Sequence, residues 1–251
     1  MKRFLGNQPI TLSNENFDKK MMYYLTYKLD GKRHLYQNGY LITSKLEKFR
    51  FPLNVPHGTL LDGELYEGKY YAFDILFYKN NDIRKLNFTE RLNLLENIEK
   101  HKDKNWCLKR YWSPYDNSIK NNFYEIKKLY KKDMKIGGKV DGVIFTPDTN
   151  YYATVLKWKQ DVTIDFKIHK VIPCIFELLL QNGSVYTKVK LTQKQFDTYQ
   201  DNTVVEFMWK KKFIPIRARP DKINSNYTTV IDSNWKQIET PVNMRSLLSH
   251  T

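Results

Sequence analysis

Charged and apolar residues alternate position by position in five short segments of this chain, and a period of two commits a segment to an extended strand with one polar and one apolar face. The segments are Lys28-Leu29-Asp30, Leu61-Asp62-Gly63-Glu64-Leu65, Tyr70-Tyr71-Ala72-Phe73-Asp74, Val140-Asp141-Gly142-Val143 and Leu156-Lys157-Trp158-Lys159. The first ends an apolar, aromatic run from Met21 to Tyr27, so Lys28 and Asp30 point one way and Leu29 the other. Gly31 then lets the backbone turn, and Arg33 follows as a second cation. In the second segment Asp62 and Glu64 share a face. Tyr71 and Phe73 share one in the third, offering an aromatic plane for a purine. Lys157 and Lys159 share one in the last. A single such segment is ordinarily the wet side of a sheet. Together they sort acids and lysines into separate clusters, and a lysine at a strand end beside an acid is a candidate for covalent work on a phosphate.

The rest of the chain supports an α+β organisation. Residues 1 to about 80 alternate β-prone runs with turn residues, among them Tyr40-Leu41-Ile42 and Thr59-Leu60-Leu61. Two amphipathic helices follow. One opens at Thr89 as N-cap with Leu92, Leu95 and Ile98 on one side; the other opens near Ser118 with Ile119, Phe123, Ile126 and Leu129. After Gly137-Gly138 the β pattern resumes, and near Asp165 to Val171 the chain changes unit. The remaining 80 or so residues read as strands Cys174–Leu180, Val185–Leu191, Val204–Trp209 and Lys212–Arg219 with a short helix Gln193–Tyr199, a size and pattern that suit a small β-barrel such as an OB-fold.

Charge narrows the partners. Lys and Arg outnumber Asp and Glu by 42 to 27, a net +15 spread along the 251 residues, which favours a polyanion: nucleic acid, a nucleotide polyphosphate or an anionic surface. Two cysteines, Cys107 and Cys174, argue against a disulfide framework and suit a reducing compartment. No apolar stretch reaches membrane-spanning length, and the start does not read as a signal peptide, so a soluble intracellular protein of nucleus or cytoplasm is expected. Ile136-Gly137-Gly138-Lys139 lacks the spacing of a Walker phosphate loop, and the five histidines show no metal-ligand spacing.

The ordered motifs resemble those of the covalent nucleotidyltransferases, which include messenger-RNA capping guanylyltransferases and ATP-dependent DNA and RNA ligases. The resemblance runs through Lys28-Leu29-Asp30-Gly31-Lys32-Arg33, Asp62-Gly63-Glu64, Tyr71 to Asp74, Asp141-Gly142-Val143-Ile144-Phe145, Leu156-Lys157-Trp158-Lys159 and Arg217-Ala218-Arg219-Pro220-Asp221-Lys222, nearly the whole chain. Three features look like the capping branch: Gly6-Asn7-Gln8-Pro9-Ile10-Thr11-Leu12-Ser13, Phe145-Thr146-Pro147, and Lys157-Trp158-Lys159 followed by Thr163-Ile164-Asp165-Phe166. Pro220 departs from the last motif.

The resemblance implies a two-sheet nucleotidyltransferase domain (1–166) and a C-terminal OB-fold domain with a tail (167–251), with a hinge near residues 165 to 170. It implies mRNA 5′ capping by guanylyl transfer: Lys28 takes GMP from GTP as a phosphoramidate and passes it to the 5′-diphosphate end of RNA. Lys157 and Lys159 would act on the α-phosphate. Asp30, Arg33, Glu64, Tyr71, Phe73, Arg217, Arg219, Asp221 and Lys222 would bind GTP, with Phe73 on the base, or Tyr71 in its place. Asp141 and Glu64 would hold Mg2+ or Mn2+, though Glu64 serves a ribose hydroxyl equally well. A separate RNA triphosphatase and a cap methyltransferase are the implied partners. Two alternatives stand beside this reading: an ATP-dependent RNA or DNA ligase using a lysine-AMP intermediate, and a non-catalytic RNA-binding subunit.

Overall fold

In a computed structural model, which describes residues 5–100, 104–131 and 140–249, the alternating segments are strands of two sheets. The smaller sheet holds β1 (Ile10–Thr11), β2 (Tyr23–Leu29), β10 (Val140–Pro147) and β11 (Leu156–Lys159) in the order β1-β11-β10-β2, with only the β1–β11 pair parallel. The larger contains β3 (Lys32–Gln37), β4 (Tyr40–Ile42), β5 (Lys48–Arg50), β6 (Leu60–Tyr66), β7 (Lys69–Tyr78) and β8 (Asn81–Asp82) in the order β5-β4-β3-β6-β7-β8, and β9 (Trp106–Leu108) joins β7 in parallel.

Alternation assigns the faces. On the smaller sheet Phe145 and Trp158 turn outward to helix α2 (Ile119–Lys131), whose Phe123 stacks on Phe145 at 6.3 Å and meets Trp158 edge-on at 5.0 Å. Ile144, Thr146 and Lys157 therefore face the other way, into a cavity. On the larger sheet Leu61, Tyr70, Ala72 and Ile75 pack with Leu95 and Ile98 of helix α1 (Phe88–Glu99), while Asp62, Glu64 and Phe73 line the same cavity. Helix α1 starts two residues earlier than its apolar periodicity implies. Asn87 is the N-cap, in a reciprocal capping box with Glu90, and Thr89 instead bonds Asp148. Helix α2 opens as expected, with Ser118 Oγ accepting from the Asn121 amide.

The second unit is Gln160–Val242; the segment from Asn243, with the short helix α5 (Met244–Leu247), belongs with the first. It is built on β12 (Thr163–Ile172), β13 (Ile175–Leu179), β14 (Val185–Lys190), β15 (Val204–Trp209) and β16 (Phe213–Ala218), with α3 (Gln193–Thr198) and α4 (Thr228–Glu239). β12 pairs continuously through residues 165 to 170, so the expected hinge span is regular strand; the irregular residues are 160–162. The sheet order is β14-β13-β12-β15-β16, and it is not closed into a barrel among the described residues. β14 and β16 are its two unpaired edges, and near them the rings of Tyr186 and Phe213 meet at 6.3 Å. The Gly137-Gly138 break, His101 and His250 lie outside the described residues, as does the side chain of Leu129. No helix among the described residues is long and apolar enough to cross a membrane.

Gly142 is the tightest point of the smaller sheet. A Cβ there would stand 2.1 Å from the Trp158 carbonyl oxygen, backbone that cannot yield without parting β10 from β11. Gly142→Ala should cost about 1–3 kcal/mol or more, as overpacked sites do. Urea unfolding with an unchanged midpoint would contradict this.

Candidate active site

The site begins with what Gly142 permits. Across the smaller sheet Gly142 is the register partner of both Lys28 on β2 and Lys159 on β11, so two lysines flank one residue that has no side chain. A bulge between Val140 and Gly142 makes Asp141 the unpaired extra residue, and bulged residues are re-aimed from the strand's ordinary alternation. Its carboxylate consequently meets both cations: Lys28 Nζ lies 2.9 Å from Oδ1 and Lys159 Nζ 2.8 Å from Oδ2. Burial pushes the Asp141 carboxyl up, but Lys28 and Lys159 outweigh it and hold the group below the usual carboxylate range. Lys157, two positions along on the same face, is held below the ordinary lysine value by burial first and then by Lys159 and Lys28, with Asp141 opposing.

The cavity between the two sheets is about 220 Å³ and is lined by Lys28, Lys157, Arg33, Glu64 and Phe73 among the expected residues, together with Asn7, Gln8 and Pro9 of the opening segment. A cavity of ~150 Å³ already admits benzene, so this one has room for a bicyclic base. Phe73 faces it by the ordinary alternation with Ala72, and a second bulge, where Asp62 pairs with Asp74 and Gly63 with Ala72, turns Asp74 to the cavity as well. Arg33 lies 5.2 Å and Lys109 5.4 Å from its ring centroid. Tyr71 shares strand β7 with Phe73 but is buried and does not line the cavity; its neighbour is the Lys69 ammonium, 6.0 Å from the ring. Asp30, in the turn after β2, does not line the cavity either.

Two buried ion pairs hold the walls. Arg33 donates through Nε and Nη2 to both oxygens of Asp62, and through Nη1 to the Asn7 carbonyl. The Tyr151 hydroxyl lies 3.1 Å from Asp62 Oδ2 and 3.0 Å from the Leu5 carbonyl, and accepts from the Asn7 amide at 2.6 Å. Burial pushes the Asp62 carboxyl up, and the Arg33 guanidinium opposes that; Arg33 itself is raised against its own burial by Asp62. Arg91 of α1 makes the second pair, Nε to Asp74 Oδ1 at 2.8 Å and Nη2 to Oδ2 at 3.0 Å, and its Nη1 donates to the Leu86 and Thr149 carbonyls. Lys109, nearly sealed from solvent, donates to Glu64 at 2.9 Å. Sequence reading missed Lys109, Arg91 and Tyr151. Only Lys109 had a local signal, the alternation Trp106-Cys107-Leu108-Lys109.

Asp141 Oδ1 has acceptor capacity left over. It is buried and accepts no hydrogen bond of good geometry, although Lys28 stands close. No group of three or more His, Cys, Asp or Glu side chains placed to hold a metal occurs among the described residues. Mg2+ commonly takes one or two carboxylates and completes its shell with water and substrate phosphate, so the donor set fits an ion that arrives with a phosphate.

The second unit collects the remaining expected residues around its own acids. Arg219 reaches Asp165 at 3.2 Å and Asp221 at 2.9 Å, and Lys222 also binds Asp165. Arg217 stands apart on Glu206 at 2.6 Å. Pro220 presets the turn that curls this segment, closed by the Lys222 amide donating to the Arg219 carbonyl at 3.0 Å. Hydrogen bonding from Arg219 pulls the Asp221 carboxyl down to about 2.

Two sheets enclosing a base-sized cavity with a strand-borne lysine at its edge define a nucleotidyltransferase fold. The solved structure of a Lig E DNA ligase resembles it with a TM-score of 0.52 at 17% identity, covering 86% of this chain and all of that one, a likeness of fold. The family model for the mRNA capping enzyme catalytic domain matches residues 1–161, and the chain belongs to that family. The mRNA-capping enzyme subunit alpha of Yarrowia lipolytica is 25% identical, over 98% of this chain and 81% of its own length. That of Eremothecium gossypii is 29% identical over 69% of this chain, and the chain spans about half of its length (49%).

The Arg91–Asp74 pair yields a stability test. Asp74→Ala leaves a guanidinium that is 2% exposed without its counter-ion, and removing one partner of a buried pair costs about 3–5 kcal/mol. Denaturant unfolding of the variant should show a destabilisation of that order; one under about 1 kcal/mol would mean that water or another acid replaces Asp74.

Proposed function

We propose that this chain is an mRNA 5′ capping guanylyltransferase in which Lys28 carries the transferred GMP. One observation carries the assignment of the nucleophile: Lys28 projects from β2 into the edge of the cavity beside Lys157 and Lys159, and is held there by Asp141. In the first step the neutral Lys28 amine attacks the α-phosphorus of GTP, the bond to the bridging oxygen breaks, and pyrophosphate leaves. In the second, an oxygen of an RNA 5′-diphosphate attacks the same phosphorus, the N–P bond breaks, and the lysine is freed with a GpppN end formed.

Lys157 and Lys159 offset the charge that builds on the α-phosphate oxygens in each transition state. Phe73 stacks on the base. Lys109 lines the cavity beside Phe73 and can only donate, which matches the acceptors N7 and O6 of guanine better than the N6 amino group of adenine. Arg33 serves the ribose, as Glu64 does in the alternative where it is not a metal ligand. Asp141, with Glu64, would hold Mg2+ or Mn2+, which when bound polarises phosphate oxygens as a Lewis acid.

The second unit is read as an OB-type module. Five antiparallel strands with a helix between the third and fourth support that reading, although β14 and β16 are not paired. Arg217, Arg219 and Lys222 would take the β- and γ-phosphates by exchanging carboxylate partners for phosphate oxygens, with Asp221 orienting Arg219. An acceptor with a 5′-diphosphate requires that another chain or domain remove the γ-phosphate, and cap methylation likewise falls to a separate activity.

Incubation with α-labelled GTP and Mg2+ should leave label on the chain, on a tryptic peptide containing Lys28. Lys28→Ala should abolish the adduct, and Lys157→Ala or Lys159→Ala should slow its formation by roughly 10²–10³. Labelling from ATP alone would replace this reading with a ligase, and RNA binding without any adduct would replace it with a non-catalytic subunit.

A further inference from the structure

The second unit carries a groove that the transfer chemistry does not use. It is open, about 760 Å³, and runs between the free edge of β14 and the β15–β16 hairpin, where the sheet stops short of closing. Its floor is aromatic. Tyr186 is the extra residue of a bulge, since Val185 pairs with Leu179 and Thr187 with Leu178, and its ring is thereby turned onto Phe166 and Phe213 while staying 38% exposed. Trp209 and Trp235 meet edge-on at 4.8 Å along the same groove and are only partly buried.

Its rim is basic. Lys188, Lys190, Lys211 and Lys212 line it and are exposed, and no acid does. Lys188 is paired with Glu177, whereas no ion pair among the described residues engages Lys190, Lys211 or Lys212. Two acids of α4 stand near it without lining it: Asp232 and Glu239 act on Tyr186, and Glu239 accepts from Trp235 Nε1. Unpaired cations over partly exposed rings describe a backbone-tracking, base-stacking surface.

We infer that this groove binds single-stranded RNA. The identity of the strand rests on the capping reading, and the chemistry of its recognition on the groove alone. A strand of peptide added to the free β14 edge is the competing occupant. Three unpaired lysines at the rim favour a polyanion, because each phosphate they neutralise releases a counterion. RNA also has a flat face for the ring floor at every residue.

The test uses the full chain and a 20-nucleotide single-stranded RNA with a 5′-hydroxyl end, so that the probe cannot take part in transfer. Fluorescence anisotropy across a salt series should show the affinity of the Lys190→Ala/Lys211→Ala/Lys212→Ala variant falling tenfold or more. Its salt slope should drop by about 2, since each neutralised phosphate contributes ~0.7 on a single strand. Trp209→Leu should weaken binding several-fold at every salt concentration, and RNA should quench tryptophan fluorescence in the unmodified chain. Adduct formation from GTP should be unchanged in both variants. RNA affinity and salt slope equal to those of the unmodified chain in the lysine variant would overturn the inference, as would an equal weakening for RNA duplex and single strand. Should the unmodified chain form no adduct at all, the capping reading fails while the anisotropy result still decides the groove.

Discussion

A single carboxylate compensates the cations on which the whole site depends. Lys28, Lys157 and Lys159 lie on one face of one sheet, and three ammonium groups so placed repel one another. Asp141 answers two of them at 2.8–2.9 Å, and it can do so only because a bulge turns it out of register. Gly142 completes the arrangement, since any side chain there would collide with the β11 backbone at Trp158 and Lys159. The excess positive charge that remains suits a triphosphate, which supplies the missing anions when it binds.

The opposite wall obeys the same rule with tighter burial. Asp62 is fully buried, and an isolated charge there would be prohibitively costly, so Arg33, Tyr151 and the Asn7 backbone form a closed network about it. That network ties the opening segment to the cavity, bringing Asn7, Gln8 and Pro9 to its lining. Arg91 and Asp74 do likewise for helix α1. Such pairs add little net stability compared with apolar packing, yet they hold donors at set positions, and preorganised donors are what a phosphoryl transfer requires.

In the second unit the aromatic residues determine the architecture. Phe166, Phe207 and Phe213 form the centre of its core, and Tyr186, Trp209 and Trp235 extend that cluster to the surface between the sheet edges. Tyr186, Trp209 and Phe213 line the groove that runs beside the unpaired edges. The cations on the other part of the unit, Arg217, Arg219 and Lys222, are held by Glu206 and Asp165.

Periodicity along the chain determined which segments are strands, which face of each is wet, and which helix residues reach the core, because a two-residue or 3.6-residue repeat is a local property. It is enough to place Lys28, Lys157 and Lys159 on one side of one kind of element. Strict alternation also put Tyr71 and Phe73 on a common face, but it could not show that Tyr71, opposite Glu64, is buried outside the lining while Phe73 enters the cavity. Bulges, strand order and the partners of buried charges depend on residues far apart in sequence. Lys109 meets Glu64 and Tyr151 meets Asp62 only after the sheets have assembled. The polar network, and the open edge that makes a groove of a would-be barrel, were therefore decided by tertiary packing alone.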